Sequence, residues 1–140
     1  MECVFCQIRD GQIPSARVYE DALTLVFMDI NPVNDGHLLI IPKSHAETIF
    51  DVSPRDLSAV TATAKKVADA IRRALHPEGL NLYQANGAAA SQVVPHFHLH
   101  LIPRWKGDGK GFDWKLHKGD SDRIRDTAAK IRAQIPPERT

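Results

Sequence analysis

Long hydrophobic runs are missing from this 140-residue chain. None approaches the roughly 20 residues that a membrane-spanning helix needs, so no membrane partner is expected. The first residues include Glu2, Arg9 and Asp10 and no apolar signal-type stretch, which points to a cytoplasmic protein. Cysteine is scarce, and the two present are not expected to form a structural disulfide in that compartment. An excess of either charge is missing too. Eighteen Lys and Arg against seventeen Asp and Glu leave +1, so bulk electrostatics give no reason to expect nucleic acid as a partner. No internal repeat and no linker stands out. What remains is the composition of an ordinary globular chain, 43% hydrophobic, with length enough for one domain with a core.

Against that background one stretch is unusual. Pro95-His96-Phe97-His98-Leu99-His100-Leu101-Ile102-Pro103 alternates strictly. As a β-strand it turns Phe97, Leu99 and Leu101 to a core and His96, His98 and His100 to the opposite face, with same-face neighbours roughly 6.6 Å apart. A half-exposed strand that uses histidine merely as its polar residue is the bland alternative. Three of the chain's seven histidines at period two argue against it.

The rest of the chain supplies a scaffold. Cys3-Val4-Phe5-Cys6 opens it as a knuckle-like thiol pair leading into about one helical turn that Gly11 can stop. Arg17–Tyr19 and Leu23–Met28 read as a hairpin around Glu20-Asp21, Asp29–Gly36 as a loop, and His37–Ile41 as a buried strand ended by Pro42. Ser53 caps a helix with Pro54 at its first position and Asp56 at the capping-box site. Leu57, Val60, Ala64, Val67, Ile71 and Leu75 then recur at helical spacing until Pro77 and Gly79 close the helix. Leu80–Gln84 reads as a fourth strand, and Asn86–Gln92 as a loop of small residues feeding the histidine strand. Gly107, Gly109 and Gly111 mark a mobile segment, and residues 122–134 a terminal helix. The expected fold is α+β, a mostly antiparallel five-stranded sheet with one long helix and short helices, the helices on one face and the histidines on the other. The open sheet edge invites a second copy. A domain over 1–111 and an extension over 112–140 with a short helix on or near it are expected.

Four roles compete for the histidines. On an extended strand His96 and His100 lie roughly 13 Å apart, so one zinc with bonds of about 2.0–2.1 Å to nitrogen cannot hold all three. Two neighbours plus a distant ligand remain open as a hydrolytic metal site. Covalent catalysis at phosphorus, with one imidazole as nucleophile, is the second role. Binding of an anion without chemistry is the third, and the polar strand face the fourth. The small-residue loop, with Asn86, Ser91 and Gln92 as donors, favours phosphorus.

The pattern His96-Phe97-His98-Leu99-His100-Leu101-Ile102 resembles the histidine triad (HIT) superfamily of nucleotide hydrolases and transferases, most closely its zinc-bearing bacterial Hint-like branch. Asp29-Ile30-Asn31-Pro32, Gly36–His45 and Asn86–Gln92 resemble that superfamily's other blocks, so the likeness spans about residues 3–104. The resemblance implies a HIT-like fold, paired as a homodimer. It implies a purine nucleoside 5′-phosphoryl substrate and His98 as nucleophile, through a covalent nucleotidyl-histidine. His100 and His37 would bond the phosphate and leaving group, Asp29 the ribose diol, and Asn86 and Gln92 the phosphate side, where Ser91 adds a hydroxyl. Phe5, Ile8, Phe27 and Ile30 would form the base pocket. A structural zinc on Cys3, Cys6, His45 and His96 is implied, and no catalytic metal. Two departures bear on the leaving group: Val93 where many relatives have Ser or Thr, and Ser91 where Gly is usual. A nucleotide-binding interaction protein with incidental hydrolysis is the alternative from another class.

Overall fold

The computed structural model describes residues 2–111 and 114–137. The chain divides into two compact units, Met1–Lys110 and Gly111–Thr140. The first holds helix α1 (Val4–Arg9), strands β1 (Arg17–Glu20), β2 (Thr24–Met28) and β3 (Leu38–Pro42), helix α2 (Pro54–Leu75), and strands β4 (Gly79–Tyr83) and β5 (Leu99–Arg104). The second holds helix α3 (Ser121–Ala133), capped by the Asp120 carboxylate on the N–H groups of Asp122 and Arg123. Among the described residues no helix is long and apolar enough to cross a membrane.

The five strands form one antiparallel sheet in the order β1-β2-β3-β5-β4. Alternation divides its central strands between two cores. Val26, Leu38, Ile40 and Leu101 meet Val60, Ala64, Val67 and Ile71 of α2 on one face. Leu25, Phe27, Leu39 and Ile41 meet Phe5 and Ile8 of α1 on the other. Both faces of β2 and β3 are therefore covered, which is why these strands read as unbroken apolar runs. It also corrects the expectation of one helical face, since α1 lies opposite α2. The register sets Phe27, Leu39, His100 and Tyr83 side by side in one row across four strands.

Several boundaries differ from the sequence reading. Ser53 Oγ accepts the Asp56 N–H at 3.0 Å, as a cap should, while the Asp56 carboxylate turns to Arg55. No glycine closes α2. His76 ends it in the left-handed region at φ 51°, and Gly79 opens β4. The segment after β5 is a tight turn around one carboxylate, Asp108, with Gly107 and Gly109 at positive φ. Most consequentially, the histidine strand starts at Leu99, not Pro95. Pro95 has no N–H to offer a ladder, the His96 N–H turns back to the Val94 carbonyl, and the Phe97 N–H bonds Ala46 at 2.7 Å.

Candidate active site

The three histidines go to two places. His96 is fully buried, and its Nε2–H donates to the Pro42 carbonyl at 2.9 Å. A carbonyl can only accept, so His96 Nδ1 is the bare nitrogen. It faces Cys3 Sγ at 3.3 Å, Cys6 Sγ at 3.6 Å and His45 Nδ1 at 3.2 Å, and His45 Nδ1 lies 3.4 Å from Cys6 Sγ. A tetrahedral ion with bonds of about 2.3 Å to sulfur and 2.0–2.1 Å to nitrogen would separate such N,N and N,S pairs by roughly 3.3–3.6 Å. The four ligand atoms all lie within 4.8 Å of one another. The donor set and spacing thus fit a closed zinc site, with the Pro42 carbonyl orienting one ligand from behind.

His98 and His100 face an apolar cleft of about 470 Å³. Its floor is the row Phe27, Leu39, His100 and Tyr83; α1 contributes Phe5 and Ile8 to one wall, and Asp29, Ile30, Ser91 and Gln92 stand around it. Phe5 presses edge-on against His98 at 5.1 Å and against Phe27 at 5.3 Å. His98 Nδ1–H donates to the His96 carbonyl at 2.6 Å. That bond fixes the tautomer and leaves the Nε2 lone pair available. Burial holds the His98 imidazole below its ordinary pKa, outweighing the His96 carbonyl and the Asp29 carboxylate, which pull the other way.

Behind the cleft a second tautomer chain runs. The Val33 N–H donates to His37 Nδ1 at 2.9 Å. His37 Nε2 must then carry the hydrogen, and it lies 2.9 Å from His100 Nδ1 and 3.4 Å from Asp29 Oδ2. His100 therefore accepts at Nδ1 and carries its own hydrogen at Nε2. Burial, reinforced by the neighbouring His98 and His37, lowers the His100 pKa to about 4, and burial lowers that of His37 as well.

The predicted residues are not placed alike. Phe5, Ile8 and Phe27 are buried in the cleft wall, while Ile30 stands at its rim, 89% exposed. His37 sits one step back from the cleft, with both ring nitrogens engaged. Asn86 is held inside the chain: its carbonyl accepts from the Ile49 N–H at 2.6 Å, and its amide donates to Gln84. Gln92 ties Gly87, Glu47 and Val94 together. Ser91 occupies the left-handed region at φ 69°, a physical reason for glycine at this position. Val93 is 89% exposed at the cleft. Tyr83, read only as a strand residue, is the sequence reading's omission. Its ring lies 5.4 Å from His100, a neighbour set by β4–β5 register that no local motif reveals.

Fold and site together define a small α+β protein that sets paired imidazoles against an apolar cleft. A family model described as the HIT domain matches residues 10–107, and the chain belongs to the HIT family. It is 46% identical over 119 residues to "Protein hit" of Bacillus subtilis, covering 84% of this chain and 82% of that one. It is 36% identical over 136 residues to the adenosine 5′-monophosphoramidase hnt1 of Schizosaccharomyces pombe, covering 96% and 99%. Among solved structures, a HIT family member from Bacillus subtilis superposes with a TM-score of 0.92 at 36% identity, covering 99% of this chain and 100% of that one. A zinc-bound histidine triad family protein from Mycobacterium smegmatis superposes with a TM-score of 0.76 at 38% identity, covering 95% and 97%.

Proposed function

We propose that this protein is a HIT-type nucleotide hydrolase that cleaves a purine nucleoside 5′-phosphoryl bond, of the phosphoramidate, dinucleoside polyphosphate or acyl-adenylate kind, through His98. The observation that carries the reading is the His98 tautomer. Its Nδ1–H is tied to the His96 carbonyl, and its neutral Nε2 faces a cleft of nucleoside size.

In the first half-reaction the Nε2 lone pair forms a bond to the α-phosphorus. The bond to the leaving group breaks, its electron pair goes with the leaving atom, and that atom takes up a proton from solvent. The nucleotidyl-imidazolium keeps its Nδ1–H on the His96 carbonyl, which disperses the new charge. In the second half-reaction water attacks phosphorus and loses a proton to solvent, and the P–N pair returns to Nε2. One water is consumed overall. The Nε2–H of His100 donates a hydrogen bond to the leaving atom and keeps its proton. Phe5, Ile8, Phe27 and Ile30 hold the base, and Asp29, with two oxygens suited to a diol, the ribose. Ser91 lines the phosphate side, while Asn86 and Gln92 shape the loop that carries it.

Cys3, Cys6, His45 and His96 would hold a zinc ion with no open coordination position, so its contribution is structural: it fastens α1 to the segment that carries His98. The edge strand β4, with Leu82 57% exposed, offers pairing to a second copy, and light scattering would read a mass of two chains.

The test is turnover of an adenosine 5′-phosphoramidate with a fluorescent amine leaving group. Wild type turns over with a trappable nucleotidyl-protein, and His98→Ala loses more than about a thousandfold in kcat/KM. A folded wild type that binds AMP without turnover would refute the hydrolase reading and leave a binding protein. Turnover that persists in His98→Ala but stops on chelation would move the chemistry to a metal.

A further inference from the structure

The turn after β5 has no part in the cleft, yet it is one of the most heavily bonded points of the chain. Five donors converge on the Asp108 carboxylate. Arg104 approaches through Nε and a terminal guanidinium nitrogen at 2.8 Å each, Asn34 Nδ2 at 2.9 Å, and the backbone N–H groups of Trp105 and Lys110 at 3.0 Å each. The Arg104 guanidinium, with the other donors, holds that carboxyl far below the usual range. Asn34 Nδ2 also donates to the Pro103 carbonyl at 3.0 Å. Asn34 thus fastens the loop between β2 and β3 to the end of β5. In the same loop the Asn34 carbonyl accepts the His37 N–H at 3.1 Å, and Gly36 turns the chain at φ 88°. Between them this geometry sets the Val33 N–H against His37 Nδ1.

From this clamp we infer that Asn34 and Asp108 are positioning residues for the leaving-group donor. By holding Val33 N–H on His37 Nδ1 they force the His37 hydrogen to Nε2, hence onto His100 Nδ1, and hence leave His100 with its hydrogen at Nε2, on the ring edge away from His37. If the clamp is released, the opposite tautomer of the pair becomes accessible, with hydrogen on His37 Nδ1 and on His100 Nδ1. His100 then presents a lone pair to the leaving atom. Asp29 Oδ2, at 3.4 Å, favours the original tautomer too, but at longer range than the 2.9 Å Val33 bond. The inference rests on the reading of His98 as nucleophile and deepens it by naming what sets the leaving-group end of the reaction.

The experiment compares wild type, Asn34→Ala and Asp108→Asn, each with its metal content matched. Long-range ¹⁵N–¹H spectra of the histidines report tautomers without substrate. Wild type shows His37 and His100 protonated at Nε2 alone, and both variants show exchange between tautomers at one or both rings. Turnover is read on two AMP derivatives, an alkylamine phosphoramidate and a 4-nitrophenyl ester. The amine leaves with more developing charge and depends more on a hydrogen-bond donor. Both variants lose about tenfold or more in kcat on the amine and less than about threefold on the ester, with AMP affinity near wild type, while the melting temperature falls in both as the clamp's bonds are lost. Unchanged tautomers in both variants overturn the inference, as does an equal loss on both substrates. If wild type turns over neither substrate, the hydrolase reading fails, and the spectra still decide whether the clamp sets the tautomer.

Discussion

Removing metal from the proposed Cys3–Cys6–His45–His96 zinc site should loosen two things at once, the fold and the apolar cleft beside it. Helix α1 has six residues, far below the length at which a helix persists alone in water. Tertiary contacts must hold it. Cys3 and Cys6 anchor its start, Phe5 and Ile8 bury in the second core, and the Arg17 guanidinium bonds the Ile8 carbonyl at 2.6 Å. A ligand present at about a thousand times its Kd adds about 4 kcal/mol to the folded state, less whatever it binds in the unfolded chain. For a unit of this size about 4 kcal/mol corresponds to a fall of roughly 15 °C or more in Tm. Phe5 and Ile8 still contribute about 1.5–3 kcal/mol each by burial, so α1 stays attached but less constrained. Its Phe5 edge, 5.1 Å from His98, forms part of the cleft wall. AMP affinity should therefore fall by about tenfold, or about 1.4 kcal/mol. The assay pairs elemental analysis with calorimetric melting and AMP titration, on chelator-treated protein and on Cys6→Ser. One metal per chain, lost together with the Tm and affinity changes, is expected. Metal-free protein with unchanged Tm and AMP affinity would refute the reasoning, because α1 would then need no anchor beyond its own burial.

Three other consequences follow from single positions. His100, held near pKa 4, and His37, also lowered, are neutral in the folded chain where their unfolded counterparts bind protons. Their contribution is whole above about pH 6.5 and is lost as pH falls towards 4. The urea midpoint should drop between pH 7 and 5, and His100→Gln should flatten that slope; an equal slope in the variant would refute the assignment. Ser91→Gly relieves a left-handed residue and should raise stability by up to about 1 kcal/mol, read from urea unfolding, with a loss of stability as the contrary result. Gly36→Ala puts a Cβ onto Leu75 Cδ1 and within 2.9 Å of the fully buried Pro103. It should cost more than about 2 kcal/mol in unfolding free energy, whereas near-wild-type stability would show that the loop yields.

Much of this was legible in the chain because the informative signals are local. Helix α2 announces itself by Ser53, Pro54 and apolar spacing, β2 and β3 by unbroken apolar runs, and the imidazole row by period two. What was not legible depends on register or on long-range bonds. Tyr83 reaches His100 only because β4 pairs with β5 in one register. Asn86 looks like a free donor in a small-residue loop, but its amide donates to Gln84 and the Ile49 N–H, 37 residues away, claims its carbonyl. The glycines of 107–111 suggest mobility until Asp108 collects its donors. His76 carries no sequence mark of the left-handed cap it forms.

The start of β5 at Leu99 bears most directly on the chemistry. Had the ladder run from Pro95, the His96 carbonyl and the Phe97 N–H would have turned to the strands on opposite sides, since buried backbone groups pair. The strand begins instead at Leu99, and Phe97 N–H bonds Ala46. This frees the His96 carbonyl to take the Nδ1–H of His98 at 2.6 Å. It also lets the His96 ring reach back to Pro42 and the two cysteines. One irregular residue thereby touches both sites: its ring completes the proposed zinc-ligand set, and its carbonyl selects the tautomer of the proposed nucleophile. A regular strand would have kept the same alternation and produced neither. The broken period at His96 is therefore a requirement of the site, because the lone pair proposed to attack phosphorus exists at Nε2 only while that carbonyl holds the other nitrogen's hydrogen.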